Sequence, residues 1–250
     1  MLNQLAAPGR CCHIVLAFMA VSTLLTWGLP ANAQFYAERA IDPNETILEY
    51  GSYRLSVQAN GQPEPCDLVL FGYHSRRPGR WAQLTDTVLR IVPHRRHTLI
   101  GHKPGYMFHS ESFYPDLLKD PNIRVELRAI ESGQRTDILG IHFIGNQDRL
   151  HPKSLGVAEE LLTWLNENPN VHLNVIGHVN GADGRKSRSF YRKASIRRAE
   201  VMVDWLTAHG IDPARLAPHG RGADALLFPD PIYAWQHEAN RRVEIEVARY

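Results

Sequence analysis

The chain has 250 residues, 44% of them hydrophobic, and a formal net charge of +2. It is long enough for one large domain or two small ones and apolar enough to bury a core, which excludes a globally disordered polymer. The charge balance is too mild for a dedicated nucleic-acid binder, and no block of like charge is long enough to form a tail.

Arg10 precedes an apolar run, "IVLAFMAVSTLLTWGL" (14–29), followed by Ala31-Asn32-Ala33. A positive flank, a short apolar region and a small-x-small site predict a secretory signal peptide over residues 1–33, with the mature chain starting at Gln34. An uncleaved membrane anchor is the alternative, but the run is short of the ~20 apolar residues a span needs. Cys11 and Cys12 precede this run and would leave with the signal, so the mature chain keeps Cys66 alone, with no internal disulfide. Cys66 is expected to act as a small buried hydrophobe.

Residues 34–135 are predicted as a small β-rich, sandwich-like module. "SYRLSV" (52–57), "DLVLFGY" (67–73), "TVLRIV" (87–92), "HTLIGH" (97–102) and "IRVELRAI" (123–130) alternate or run apolar over short lengths. Turn-forming clusters such as "NGQPEP" separate them. "ESGQR" (131–135) reads as a linker.

From residue 136 to 250 strands and helices alternate, so the predicted class is α/β here and α+β for the whole chain. "ILGIHFI" (138–144) is predicted as a strand. From Pro152 to Asn168 apolar residues recur at Leu155, Ala158, Leu161, Leu162 and Leu165, the spacing of one helix face. "VHLNVIG" (171–177) is a strand with Val171, Leu173 and Val175 alternating. A second helix spans about Ser189 to His209, with Gly210 placed to cap it and Pro213 preventing its resumption. "RLAPHGRG" starts a third strand, "IYAWQHEANRR" is helical, and "VEIEVAR" (243–249) closes as a strand.

The stretch from Asn174 to Leu206 carries the polar residues with functional interest. It lacks a phosphate loop, because Gly184 is followed by Arg185 and not by lysine. His178 is a lone histidine at a strand end. His94, His97 and His102 lie among arginines that would repel a cation, so no metal site is expected. No nucleophile–base arrangement marks an enzyme, and no cofactor is implied. The basic run "GRKSRSFYRKASIRR" reads as a solvated helix start, since few aromatics accompany it and export removes the chain from nucleic acid.

A larger pattern runs through residues 136–250. A strand followed by Asn146 leads to Leu150-x-Pro152-x-Ser154, Asn168-Pro169-x-Val171 and Gly177-His178. Ser195-x-x-Arg198-Ala199 follows, then Gly210-Ile211-x-x-x-Arg215-Leu216, Gly220-x-Gly222 and Asn240-Arg241-Arg242-Val243-Glu244-Ile245. In this order the anchors resemble the OmpA-like domain shared by OmpA, Pal and MotB proteins. The resemblance implies a layered β-α-β-α-β-α-β fold and non-covalent binding of peptidoglycan through the diaminopimelate of its stem peptide. It implies a non-enzymatic protein of the periplasm, associated with the outer membrane in some relatives, whose β-rich half could contact envelope proteins.

By the same resemblance Arg198 would take a ligand carboxylate, which a guanidinium reads as a planar fork. Asn146, Asn180 and Asp183 would meet the amine and peptide groups, and Asn240 and Arg241 would complete the rim. Two departures stand out. Gly177-His178-Val179-Asn180 replaces the family's G-H-T-D, so the acid that would meet an ammonium has become neutral. Tyr191 replaces a family asparagine, and the loop holding Asp183 is longer. Asp183 either restores the lost carboxylate, or the domain has given up wall binding and serves as a protein-interaction module.

Overall fold

A computed structural model describes residues 50–72, 78–118, 120–144, 149–181 and 186–250. The expected signal peptide lies outside the described residues, as do Asn146 and Asp183. No helix among the described residues is long and apolar enough to cross a membrane.

Among the described residues the first half contains eight strands in two sheets. In the first, β1 (Gly51–Ala59) pairs antiparallel with β2 (Gln62–Pro63) and β5 (Asp86–Ile91), and parallel with β8 (Asn122–Glu126). The second is antiparallel in the order β4 (Gly79–Leu84), β3 (Cys66–Phe71), β6 (His97–His102), β7 (His109–Phe113). Alternate side chains of the two sheets meet in one apolar cluster that includes Leu55, Val57, Leu68, Leu70, Leu89, Leu99 and Phe113. Cys66 belongs to it, and burial pushes its thiol up to about 12. The continuous apolar runs of β3 and β6 have a physical reason. Val69 and Ile100 point away from that cluster into a second one, so the inner strands are covered on both faces.

The cover on the far side is α1 (Leu155–Glu167), entered through a short 3₁₀ turn at Pro152–Ser154. Ala158, Leu161 and Leu165 of the predicted face are buried together with Val157 and Trp164, whereas Leu155 is exposed and Leu162 only partly buried. Trp164 is fully buried, stands edge-on to Phe108 at 5.9 Å and donates its ring N–H to the Tyr106 carbonyl at 2.8 Å. The cluster around α1 draws on Val69, Ile100, Met107 and Phe108 from the first half and on Val175, Val243 and Ile245 from the second. The apolar core therefore crosses residue 136 without a break.

A third sheet has the order β11 (Leu216–Gly222), β10 (His172–His178), β12 (Val243–Arg249), β9 (Arg135–Ile138). β10 and β11 run parallel around α2 (Arg188–Ala208), and β12 is antiparallel to both β10 and β9. With α3 (Ala234–Ala239) the elements from β9 onward alternate strand and helix up to β12.

The expected strand at 138–144 is displaced. It occupies Arg135–Ile138 and stops at Gly140, whose φ of 90° turns the chain out of the sheet. The segment expected as a linker is a turn fixed to β12: Gly133 N–H donates to the Val247 carbonyl at 2.7 Å, and Val247 N–H returns to Gln134 at 2.9 Å.

α2 lies unusually close to the sheet. A Cβ on Gly177 would fall 1.9 Å from the Ser195 carbonyl oxygen, and one on Gly220 would fall 2.5 Å from Ile196 Cγ1 and from Ser195 Oγ. The buried Ser195 hydroxyl donates to the Arg192 carbonyl and accepts from Gly222 N–H, both at 2.8 Å. The Gly177, Ser195 and Gly220-x-Gly222 anchors are thus one packing device.

Candidate ligand-binding site

That close packing brings the end of β10 against the first half of α2, which is where the candidate site is built. Arg198 is half-buried on α2 and donates from Nη1 to the His178 carbonyl at 2.6 Å. Its guanidinium lies 5.5 Å from the Phe143 ring centroid, a cation–π contact. Burial first, and then the neighbouring Arg241, pushes its pKa down to about 10. Arg241 is exposed at the end of α3. Among the described residues no carboxylate lies within ion-pair distance of either guanidinium. Glu238, paired with His142 at 2.7 Å, feels Arg241 at longer range, so the positive charge that an anion would relieve is chiefly that of Arg198.

Asn180 sits beside the two arginines with both ends of its amide engaged. Its Oδ1 accepts from Asn240 Nδ2 at 3.0 Å, and its Nδ2 donates to His237 Nδ1 at 2.7 Å. Aspartate offers only acceptors, so it could make the second contact only to a His237 protonated at Nδ1. The neutral amide is thereby matched to its neighbours.

Asn240 corrects the sequence reading. Expected at the rim, it is fully buried. It spends its side chain on Phe228 N–H at 3.0 Å, on the Phe228 carbonyl at 2.8 Å and on Asn180. Its part is to tie the 228 loop to α3 and hold Asn180 in place. Asn146 and Asp183, also assigned to the site, lie outside the described residues. Tyr191 meets the two described residues on either side of 182–185: its ring packs under Gly181, and its hydroxyl accepts from Lys186 N–H at 3.2 Å.

Two neighbours were missed from sequence. Phe143 comes from the segment beyond Gly140, which Ser154 anchors by bonding both His142 N–H at 2.8 Å and the His142 carbonyl at 3.2 Å. His237 lies three residues before Asn240 on α3. That helical spacing is the one signal that could have placed it with Asn240.

Behind the candidate site His178 is buried and donates from Nε2 to Glu244 at 2.9 Å, while its Nδ1 has no partner among the described residues. Burial, with Arg242 nearby, holds its pKa below the ordinary histidine value despite Glu244. Burial works against the Glu244 carboxylate too, yet the hydrogen bond from His178 holds it low. The native state thus keeps His178 neutral, and the unfolded chain binds the proton more readily. Stability contributed by this pair is complete above about pH 6.5, the unfolded histidine value, and is lost as pH falls from there. Denaturant titrations at pH 7.5, 6.5 and 5.5 should show a steeper loss for the wild type than for His178→Gln. Equal slopes would refute this assignment.

No family profile and no curated protein sequence matches the chain. The solved structures similar to it are OmpA-like, MotB and Pal-type domains of the bacterial envelope. A MotB-like protein from Desulfovibrio vulgaris shares 24% identity over 46% of this chain and 72% of its own, with a TM-score of 0.38. The OmpA-like domain of FopA1 from Francisella tularensis shares 18% over 47% and 81%, TM-score 0.37. The periplasmic domain of Helicobacter pylori MotB, residues 97–256, shares 19% over 49% and 86%, TM-score 0.40. At these values the likeness carries no functional weight, and the chemistry of Asn180, Arg198 and Arg241 has to carry it.

Proposed function

We propose that this is an exported, non-enzymatic envelope protein whose residues 136–250 bind peptidoglycan non-covalently through the diaminopimelate of the stem peptide. In this reading residues 1–33 are a signal peptide and 34–135 a sandwich-like module facing protein partners of the envelope. Arg198 takes a ligand carboxylate, Arg241 supports it from α3, and Asn180, with Asn146 and Asp183, meets the amine and peptide groups. The observation that supports the reading is the pair of guanidiniums with no carboxylate partner among the described residues. Holding the half-buried Arg198 beside the exposed Arg241 costs stability unless an anion is bound there.

The test is co-sedimentation of the purified protein with sacculi at low salt. Diaminopimelate-type sacculi should pellet it. Sacculi with lysine at that position, which lack the extra carboxylate, should pellet much less. Protein left in the supernatant in both cases overturns the reading and favours the protein-interaction alternative, which Asn180 in place of an acid supports. Asn180→Asp supplies a charged partner for the ligand ammonium. It should tighten binding about three- to tenfold, as charge-assisted hydrogen bonds are roughly twice as strong as neutral ones.

A further inference from the structure

The histidines that look clustered in the sequence are separated in space. His94 lies 3.3 Å from Asp116, and His97 bonds the Val92 carbonyl at 3.0 Å, both near the arginine-bearing turn before β6. His102 is at the opposite end of β6, is 4% exposed, and is surrounded by carboxylates. Asp67 is its register partner across β3–β6. From α1, Glu167 comes within 2.9 Å of His102 Nδ1, and Glu160 lies 3.3 Å from Nε2. Ligand atoms of Asp67, His102 and Glu167 all lie within 4.8 Å of one another.

We propose that Asp67, Glu167 and Nδ1 of His102 form a binding site for a divalent transition-metal cation, with zinc the best match. A mixed imidazole–carboxylate set within a few ångströms suits that ion. The arrangement around it also fits. An Nε2–H donated to Glu160 leaves the Nδ1 lone pair directed at Glu167 and Asp67, the carboxylate–histidine–metal relation that fixes a ligand's tautomer. Arg80 holds the other Glu160 oxygen at 2.6 Å. Gln83 donates its backbone N–H (2.8 Å) and its Nε2 (3.0 Å) to Asp67 Oδ1, so both known donors are on one oxygen and Oδ2 is left for a ligand bond.

Charge points the same way. Asp67, Glu160 and Glu167 face one guanidinium, because the nearby Lys103 is engaged with Glu64 and the Pro65 carbonyl. With a neutral imidazole the cluster carries two excess negative charges, the charge of one divalent cation. The bound ion would join β3 and β6 to α1. This inference is independent of the wall-binding reading.

Titration calorimetry of the full chain with Zn²⁺ at neutral pH tests it. Saturable one-to-one binding is expected, weakened at least tenfold by Asp67→Asn and by Glu167→Gln, and about tenfold by Glu160→Gln through the tautomer it fixes. The exposed His209→Ala and His219→Ala should leave it unchanged. Zinc should raise the Tm of the wild type and not that of Asp67→Asn, which keeps the oxygen that Gln83 binds and should fold. No saturable binding by folded wild type, equal affinity in Asp67→Asn and Glu167→Gln, or loss confined to the surface histidine variants would each overturn the proposal.

Discussion

Gly177→Ala is expected to destabilise the protein by about 3 kcal/mol or more, lowering Tm by roughly 10 °C. The added methyl would sit 1.9 Å from the Ser195 carbonyl oxygen, and that oxygen belongs to the backbone of a 21-residue helix. A flexible side chain could swing aside, but here α2 as a whole must lift. Lifting it also opens the Ser195 bonds to Gly222 and Arg192 and moves Arg198 away from the His178 carbonyl. Ser195→Ala removes only the hydroxyl and leaves Gly222 N–H without its acceptor, so its cost should be about 1–3 kcal/mol. Thermal melts of both variants against wild type check the order. A Tm for Gly177→Ala within 3 °C of wild type would show that α2 does not need its close approach.

Arg198→Met separates function from stability. Loss of a charged hydrogen-bond donor should weaken binding to diaminopimelate-type sacculi at least tenfold, since such a bond contributes about 1.5–3 kcal/mol. Folding stability should change by no more than about 1 kcal/mol, because a desolvated cation repelled by Arg241 contributes little to it. Methionine keeps an apolar stem against Phe143, and the lost donor to His178 is the main cost. Arg198→Lys keeps the charge without the planar fork and should fall between the two. If Arg198→Met pellets as wild type does, the carboxylate assignment is wrong. If its Tm collapses, Arg198 is a structural residue.

The periodic elements were readable because one force set them. α2, β6, β10 and β12 came within a residue or two of their predicted spans, and α1 began three residues late behind its 3₁₀ turn, each carrying an apolar stripe of the right period. β4 and β7 were missed because both are edge strands, and "GRWAQL" and "HSESF" present mostly polar or half-exposed side chains. β9 was misplaced because apolar content favoured 138–144, while the backbone turn at Gly140 decided the outcome.

At the candidate site, the place of Arg198 against the end of β10 was legible through the motif that carries it. Asn240 was not, since a motif records which residues recur and not whether a side chain faces ligand or supports one that does. The surroundings of His102 were not legible for a related reason. In sequence it lies between Gly101 and Lys103, six residues after Arg96, but its neighbours in space come from β3 and from α1, the latter 58 and 65 residues away.

α1 has a further consequence. With Trp164 fully buried between sheets contributed by both parts of the chain, each part completes the other's interior. The first half also has a cluster of its own around Leu55, Leu68 and Leu99, but the cluster around α1 belongs to both parts. Heat or denaturant that loosens the strands around Phe108 removes cover from α1 and, through it, from the floor beneath Arg198. The two parts should therefore loosen together around α1, which couples the segment that carries Arg198 to strands far from it in sequence.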